Sequence, residues 1–194
     1  MKRPIFLSAS IPARKPFVDY FDAIAIREAI LALVAVTIRE RELVFGGHPA
    51  ISPLVEHAAR SLEALDRVHI YQSKFFEKMI PPVAKEFPNL HWTKLVGEGA
   101  GDMKESLEVM RQEMIGSRDY GAAVFIGGME GIFDEIRIFK DRHPEGKIIP
   151  VASTGGAAKD LIDQGHGPKD EKLLDALKNE NRYRRLFMEL LPQD

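Results

Sequence analysis

AAVFIGGMEGIFDE, residues 122–135, is the stretch that decides the fold. Its first five residues are apolar and end at the pair Gly127-Gly128, a third glycine follows at Gly131, and Glu135 stands one helical turn further on. This order predicts a buried strand, a glycine-rich turn and the start of a helix. Glycines allow close backbone approach and a new helix presents unpaired N–H groups, so the turn suits an anionic ligand. We expect the carboxylate of Glu135 to bind a sugar hydroxyl or to take part in catalysis.

Outward from this stretch, short apolar segments alternate with helical segments along the chain. Strands are predicted at 5–9, 43–45, 68–71, 90–96, 122–126 and 147–151. Helices are predicted at 21–41, 52–66, 102–115, 131–140, 154–164 and 169–191, with a short amphipathic stretch at 75–87 and a glycine-rich loop at 97–101. The strands are apolar throughout, which predicts an α/β, Rossmann-like three-layer sandwich with a mostly parallel sheet and a C-terminal helical tail. At 194 residues the chain is expected to form one domain, residues 1–194.

Composition excludes several classes of protein. The 27 basic and 29 acidic residues give a net charge of −2, so no global field favours nucleic acid or an anionic membrane as a partner. The absence of cysteine excludes disulfides and thiolate metal sites and fits a reducing compartment. The longest apolar stretch, 29–38, is far shorter than the roughly 20 residues of a membrane span. The sequence predicts a cytoplasmic protein, a homo-oligomer, with no metal and no cofactor.

Glycine, serine or threonine follows five of the predicted strands. Because the carboxyl ends of parallel strands meet at one edge of the sheet, these turns are expected to converge on one pocket, with His48 in the second of them. Tight strand-to-helix turns also need glycine for their geometry alone, so a purely structural role is an alternative. None of the turns is a G-x-x-x-x-G-K-[ST] loop, none is a G-x-G-x-x-G after the first strand, and there is no H-E-x-x-H.

Arg111 lies on the predicted helix that leads into the strand at 122. A helix residue near the carboxyl edge of the sheet can reach a phosphate at the turns, and arginine makes bidentate contacts with phosphate. The alternative is a surface arginine that pairs with Glu108 or Glu113.

Arg111 and the Gly127 turn together resemble the SLOG superfamily. It includes the Lonely Guy phosphoribohydrolases, the Smf/DprA DNA-processing proteins, and the ligand-sensing domains of melastatin-type channels and Thoeris anti-phage effectors. Lonely Guy enzymes carry a helix-borne arginine, then a strand and P-G-G-x-G-T-x-x-E. The resemblance implies that this arginine and glutamate act at the N-glycosidic bond of a nucleoside monophosphate. Here Arg111 precedes Gly127 by sixteen residues, as in that motif, and Glu135 matches the glutamate if one residue is inserted at Met129 or Glu130.

The chain departs from that motif at several positions. Ile126 stands at the proline position, Ile132 at the threonine position and Gln112 at a position where lysine is common. The inserted residue is expected to rotate the start of the helix, because each residue turns a helix by about 100°. We therefore expect Glu135 near the pocket but poorly placed for chemistry, with Glu130 as a new lining group.

The resemblance implies the binding of a nucleotide-derived ligand, either a signalling nucleotide or an ADP-ribose derivative. The turns LSAS, VFGGHPAISPLV and VASTGG are similar to the nucleotide-sensor branch, which implies a role in bacterial defence or stress signalling and an effector protein encoded nearby. Arg111 would grip phosphate, the glycine turns would supply backbone donors, and Glu130 or Glu135 would accept from ribose. The expected ligand-binding residues are Ser8, Ser10, Gly46, Gly47, His48, Arg111, Gly127, Gly128, Glu130, Gly131, Glu135, Thr154, Gly155 and Gly156.

Two alternatives stay open at this point. One is a phosphoribohydrolase with Glu135 and Arg111 as its catalytic residues; the other is a non-catalytic interaction or assembly module. The sequence does not decide whether the protein is an enzyme, although the departures from the motif favour binding without turnover.

Overall fold

The computed structural model describes residues 2–97 and 101–193. Six strands form one sheet in the order β4-β3-β2-β1-β5-β6, and every neighbouring pair is parallel. The strands are β1 (Ile5–Ser10), β2 (Leu43–Phe45), β3 (Val68–Ser73), β4 (Asn89–Thr93), β5 (Ala122–Gly127) and β6 (Lys147–Val151). The predicted α/β class and the predicted parallel sheet are confirmed.

Helices cover both faces of the sheet, which gives the predicted three layers. They are α1 (Ala23–Thr37), α2 (Ser52–Ser61), α3 (Met103–Gly116), α4 (Gly131–Arg142), α5 (Ala157–Asp163), α6 (Glu171–Asn179) and α7 (Tyr183–Leu190). Residues of α1, α2, α6 and α7 pack against one face, and residues of α3 and α4 against the other. The helix α5 contributes to both, with Ile162 in the first core and Leu161 in the second. Along β1, Ile5 and Leu7 enter the first core while Phe6 enters the second, because successive strand residues point to opposite faces.

Local backbone chemistry explains where the predicted helices were too long. The helix predicted at 52–66 ends at Ser61, and Glu63 then adopts a positive φ of 54°, which a continuing helix does not allow. The helix predicted at 154–164 begins only at Ala157, because Gly155 and Gly156 have φ values of 71° and 61°.

Other segments differ from the predicted pattern in length. The stretch at 75–87 contains two 3-10 helices, Lys74–Phe76 and Pro82–Glu86, and the tail predicted as one helix at 169–191 is divided into α6 and α7. Part of the predicted loop at 97–101 lies outside the described residues. No helix that the structure describes has both the length and the hydrophobicity needed to cross a membrane.

The order of the strands positions a crevice at the carboxyl edge of the sheet. From β1 the chain proceeds outward through β2, β3 and β4, then returns to place β5 on the other side of β1. Connections therefore leave in opposite directions from β1 and β5, and ligands of open α/β sheets bind at such a switch point.

Candidate functional site

A cleft of about 590 Å³ opens at this edge, between the ends of β1, β2 and β3 and the helices α3 and α4. Nine of the fourteen expected ligand-binding residues line it. These are Ser8, Ser10, Gly46, Gly47, His48, Arg111, Glu130, Gly131 and Glu135. The other five, Gly127, Gly128, Thr154, Gly155 and Gly156, lie outside its lining.

Glu135 lies in the interior of the cleft, as the fifth residue of α4. Its side chain is 16% exposed, its carboxylate accepts a hydrogen bond from the hydroxyl of Ser8, and its Oε1 is 3.7 Å from Nε of Arg111. Burial raises the pKa of Glu135 above its usual range, although the Ser8 hydroxyl and the Arg111 guanidinium act in the opposite direction. The carboxyl can therefore hold a proton at a higher pH than an exposed glutamate can.

With the inserted residue in place, Glu135 lies at the cleft, as expected, and beside Arg111. The extra residue lies in the turn before α4, which begins at Gly131, and Glu135 keeps its position four residues after that glycine. The turn accommodates the insertion, so the helix presents both Asp134 and Glu135 to the cleft.

Arg111 reaches the cleft from α3, with only 13% of its side chain exposed. One terminal nitrogen lies 3.1 Å from the carboxylate of Asp134, which is itself 52% exposed. Its Nε is buried and forms no hydrogen bond with any described residue. A Cβ built on Gly131 would lie 2.8 Å from the other terminal nitrogen, so the glycine leaves the room that the guanidinium occupies beside the first residue of α4.

Arg14 and Gln72 also line the cleft, and sequence analysis did not identify either. Arg14, in the loop after β1, forms an ion pair with Glu130 at the cleft mouth. The backbone N–H and the Arg14 guanidinium hold the pKa of Glu130 below its usual range. The Gln72 amide nitrogen donates to the carbonyls of Gly46 and Gly47 at 2.7 and 3.0 Å, which fixes that turn.

The turns at 127–128 and 154–156 do not line the cleft, but they contact each other and the end of β1, which does. The Thr154 hydroxyl is fully buried, accepts a hydrogen bond from Gly127 N–H at 2.9 Å and donates to the Val151 carbonyl at 2.6 Å. A Cβ on Gly156 would lie 2.8 Å from the Gly128 carbonyl oxygen, so the two turns approach more closely than a side chain permits. Gly128 N–H in turn donates to the Ser10 carbonyl at 2.9 Å, which ties these turns to β1.

The cleft has a polar end and an apolar end. Ser8, Arg111 and Glu135 lie where β1 meets α4. Apolar side chains cluster towards the ends of β2 and β3, where the segment 74–81 contributes to the wall. They are Phe45, Phe76, Met79, Ile80 and Pro81. This distribution suits a ligand with an anionic part and a flat, weakly polar part.

Comparisons with known proteins agree with this architecture. Among solved structures, the chain is similar to the X-ray structure of TM1055, a structural genomics target, with 15% sequence identity, a TM-score of 0.58 and 89% of each chain covered. At that identity the likeness shows a shared fold. No curated protein matches the chain significantly in sequence. The model of the SLOG cluster3 family matches residues 16–191, and the chain therefore belongs to the SLOG cluster3 family.

Proposed function

We propose that the protein binds a nucleotide-derived ligand in this cleft and acts as a ligand sensor. Membership of the SLOG family supports a nucleotide-related role. The observation that carries the proposal is the largely buried guanidinium of Arg111, held beside Gly131 at the start of a 12-residue helix. Two sources of positive potential thereby meet at one place.

A phosphate group fits this place by charge and by hydrogen-bonding capacity. The N-terminal N–H groups of a helix attract anions, and a guanidinium adds charge-assisted hydrogen bonds. Asp134 now pairs with Arg111, but its side chain is about half exposed and can rotate towards solvent when a phosphate arrives.

The remainder of a nucleotide matches the rest of the cleft. Ser8, Ser10 and Glu135 can exchange hydrogen bonds with ribose hydroxyls next to the phosphate position. Phe45, Phe76 and the neighbouring apolar side chains can cover a base.

The signalling role is the finer part of the proposal. It follows from the likeness of the strand-end turns to the sensor branch of the superfamily, which also suggests an effector partner and a homo-oligomer. An assembly module whose turns are only structural would bind no nucleotide, so ligand binding is the first point to test.

A second function, N-glycosidic hydrolysis, is favoured by the position of Glu135. Its carboxyl is buried beside Arg111, hydrogen-bonded to Ser8, and has a raised pKa. Such a carboxyl can donate a proton to a departing base or orient the water that attacks the sugar carbon, while Arg111 positions the nucleotide.

Calorimetry with AMP, CMP and ADP-ribose tests the binding proposal. We expect at least one of them to bind the wild type, and Arg111→Ala to weaken that binding at least about tenfold, because a charge-assisted hydrogen bond contributes roughly 1.5–3 kcal/mol. Arg137→Ala is the matched control, since Arg137 lies on α4 and pairs with Glu108 outside the cleft. No binding by any of these nucleotides, or equal affinity in Arg111→Ala, would contradict the proposal.

Chromatographic detection of free base separates the sensor from the hydrolase. A sensor binds AMP and releases no adenine over many equivalents. Multiple-turnover release that is lost in Glu135→Gln, while AMP still binds, would establish the hydrolase instead.

A further inference from the structure

The side-chain amide of Gln72 is fixed in one orientation by the backbone. Its nitrogen donates to two carbonyl oxygens, those of Gly46 and Gly47. Rotating the amide by 180° would place its oxygen against both carbonyls, so the nitrogen must face them. Its Oε1 accepts no hydrogen bond from any described residue and belongs to a largely buried side chain, 8% exposed, that lines the cleft. Gln72 therefore presents a fixed hydrogen-bond acceptor to a ligand.

The imidazole of His48 is also fixed by the backbone, but it offers a hydrogen-bond donor instead of an acceptor. Its Nδ1 lies 3.2 Å from the backbone nitrogen of Ala50, which can only donate, so Nδ1 carries a lone pair. Burial lowers the pKa of His48, which favours the neutral ring with its proton on Nε2. That nitrogen has no hydrogen-bond partner among the described residues, and the His48 side chain is half-buried. His48 therefore presents a fixed donor to the same cleft.

The acceptor and the donor belong to residues beside the same turn, Gly46-Gly47, at the apolar end of the cleft. A Cβ on Gly47 would lie 2.8 Å from the Gln72 amide nitrogen, and Gly47 immediately precedes His48. The Phe45 and Phe76 side chains line the cleft at this end, where a flat ring could lie. Arg111 and Glu135 occupy the other end, so the pair is placed for the base of a nucleotide rather than for its phosphate.

We propose that Gln72 and His48 select bases that carry an amino group beside an unprotonated ring nitrogen, over bases that carry an oxo group beside a ring N–H. Adenine and cytosine have the first pattern, whereas hypoxanthine and uracil have the second. An amino group donates to Oε1 of Gln72 while the ring nitrogen accepts from Nε2 of His48. An oxo base reverses both polarities and places acceptor against acceptor and donor against donor. The inference rests on the proposed nucleotide binding and adds the class of base.

Calorimetry on the wild-type chain with matched nucleotides tests the direction of the two proposed hydrogen bonds to the base, without altering the protein. We expect AMP to bind at least about tenfold more tightly than IMP, and CMP at least about tenfold more tightly than UMP, since each reversed contact leaves polar groups unsatisfied. Purine riboside monophosphate lacks only the amino group and probes Gln72. The 1-deaza analogue of AMP lacks only the ring nitrogen and probes His48. Each should bind several-fold more weakly than AMP.

A substitution then tests whether His48 is the donor to the ring nitrogen of the base. In His48→Phe, which keeps a ring of similar shape, AMP and 1-deaza-AMP should bind equally, while the preference for AMP over purine riboside monophosphate should persist. His57→Phe is the matched control, because His57 is an exposed residue of α2 that does not line the cleft. It should keep the wild-type preferences.

The outcomes separate the two levels of the proposal. Equal affinity for AMP and IMP would overturn base selection and leave nucleotide binding intact. The same conclusion would follow if His48→Phe still bound 1-deaza-AMP more weakly than AMP. Failure of all four natural monophosphates to bind would overturn this inference together with binding of that ligand class.

Discussion

The hydroxyl of Ser8 donates a hydrogen bond to the carboxylate of Glu135, across 127 positions of sequence. Ser8 lies on the central strand β1 and Glu135 is the fifth residue of α4, so the contact joins the two sides of the topological switch point. Arg111, on α3, is the third member of this group. A buried carboxyl with two polar partners and a raised pKa is an arrangement that folding alone does not require.

Glu135→Gln should increase stability at neutral pH. Because burial raises the pKa of Glu135, the folded chain binds its proton more tightly than the unfolded chain does. Ionisation of the carboxyl therefore lowers the free energy of unfolding as the pH rises from its ordinary pKa to its raised pKa. Glutamine has no such cost, so the variant should gain roughly 0.5–2 kcal/mol of unfolding free energy above that window and nothing at acid pH.

Urea denaturation of both proteins from about pH 4 to about pH 8 measures this difference. Glu145→Gln, at an exposed position after α4, is the control for the loss of one carboxylate. A Glu135→Gln variant that is less stable than the wild type at every pH would mean that the charged carboxylate stabilises the fold.

Gly131→Ala should damage binding without damaging the fold. The backbone of Gly131 has no positive φ, and alanine is a better helix residue than glycine by up to about 1 kcal/mol. The new Cβ would nevertheless displace the Arg111 guanidinium from the start of α4. We expect nucleotide affinity to fall about tenfold while the urea midpoint stays the same or rises.

A second helical glycine provides the comparison. Gly116 ends α3 outside the cleft, and Gly116→Ala introduces a Cβ that approaches only Arg142. If both glycine variants bind nucleotide with wild-type affinity, the placement of Arg111 beside α4 does not matter for the ligand.

Sequence patterns predicted the layers of this fold well because each strand is a short, continuous and mainly apolar run of residues. The predicted bounds of β2 and β6 agree with the structure, since Glu42 and Gly46 flank the run of β2 and Gly146 precedes β6. The same reasoning placed Asp102 correctly at the start of α3, where its side chain accepts from the backbone of Glu105. Such short-range hydrogen bonding leaves a clear signal in sequence.

The parts of the site that sequence missed depend on contacts between distant segments. Gln72 matters because two carbonyls of the neighbouring strand end face it, and nothing around position 72 records that. The effect of the inserted residue is hard to predict for a related reason, because counting residues assumes a regular helix, whereas α4 begins only at Gly131, after the extra residue. The place of Thr154 after a strand predicted a ligand-binding role, yet its hydroxyl forms hydrogen bonds with the backbone of Gly127 and Val151.

Asp134→Asn should strengthen the binding of phosphorylated ligands. Asp134 is a carboxylate that pairs with Arg111 at 3.1 Å, and a phosphate must compete with it. Removing the charge should tighten AMP binding about two- to fivefold, with a larger effect at low salt, because exposed ion pairs are weak and screened. Adenosine, which lacks the phosphate, should bind both proteins alike.

Asp141→Asn is the control for the loss of one negative charge, since Asp141 is an exposed residue of the same helix, outside the cleft. Weaker binding of AMP by Asp134→Asn alone would show that Asp134 contacts the ligand itself rather than competing with it.

Thr154→Val should destabilise the fold while leaving nucleotide selectivity unchanged. Valine keeps the shape of threonine, but it leaves the buried N–H of Gly127 without its acceptor, which costs about 1–3 kcal/mol. Thr154→Ser keeps the hydroxyl and should lose less. Urea denaturation measures the stability of both variants, and calorimetry with AMP and IMP measures their selectivity. A valine variant of wild-type stability that no longer binds AMP would show instead that the Thr154 hydroxyl serves the ligand.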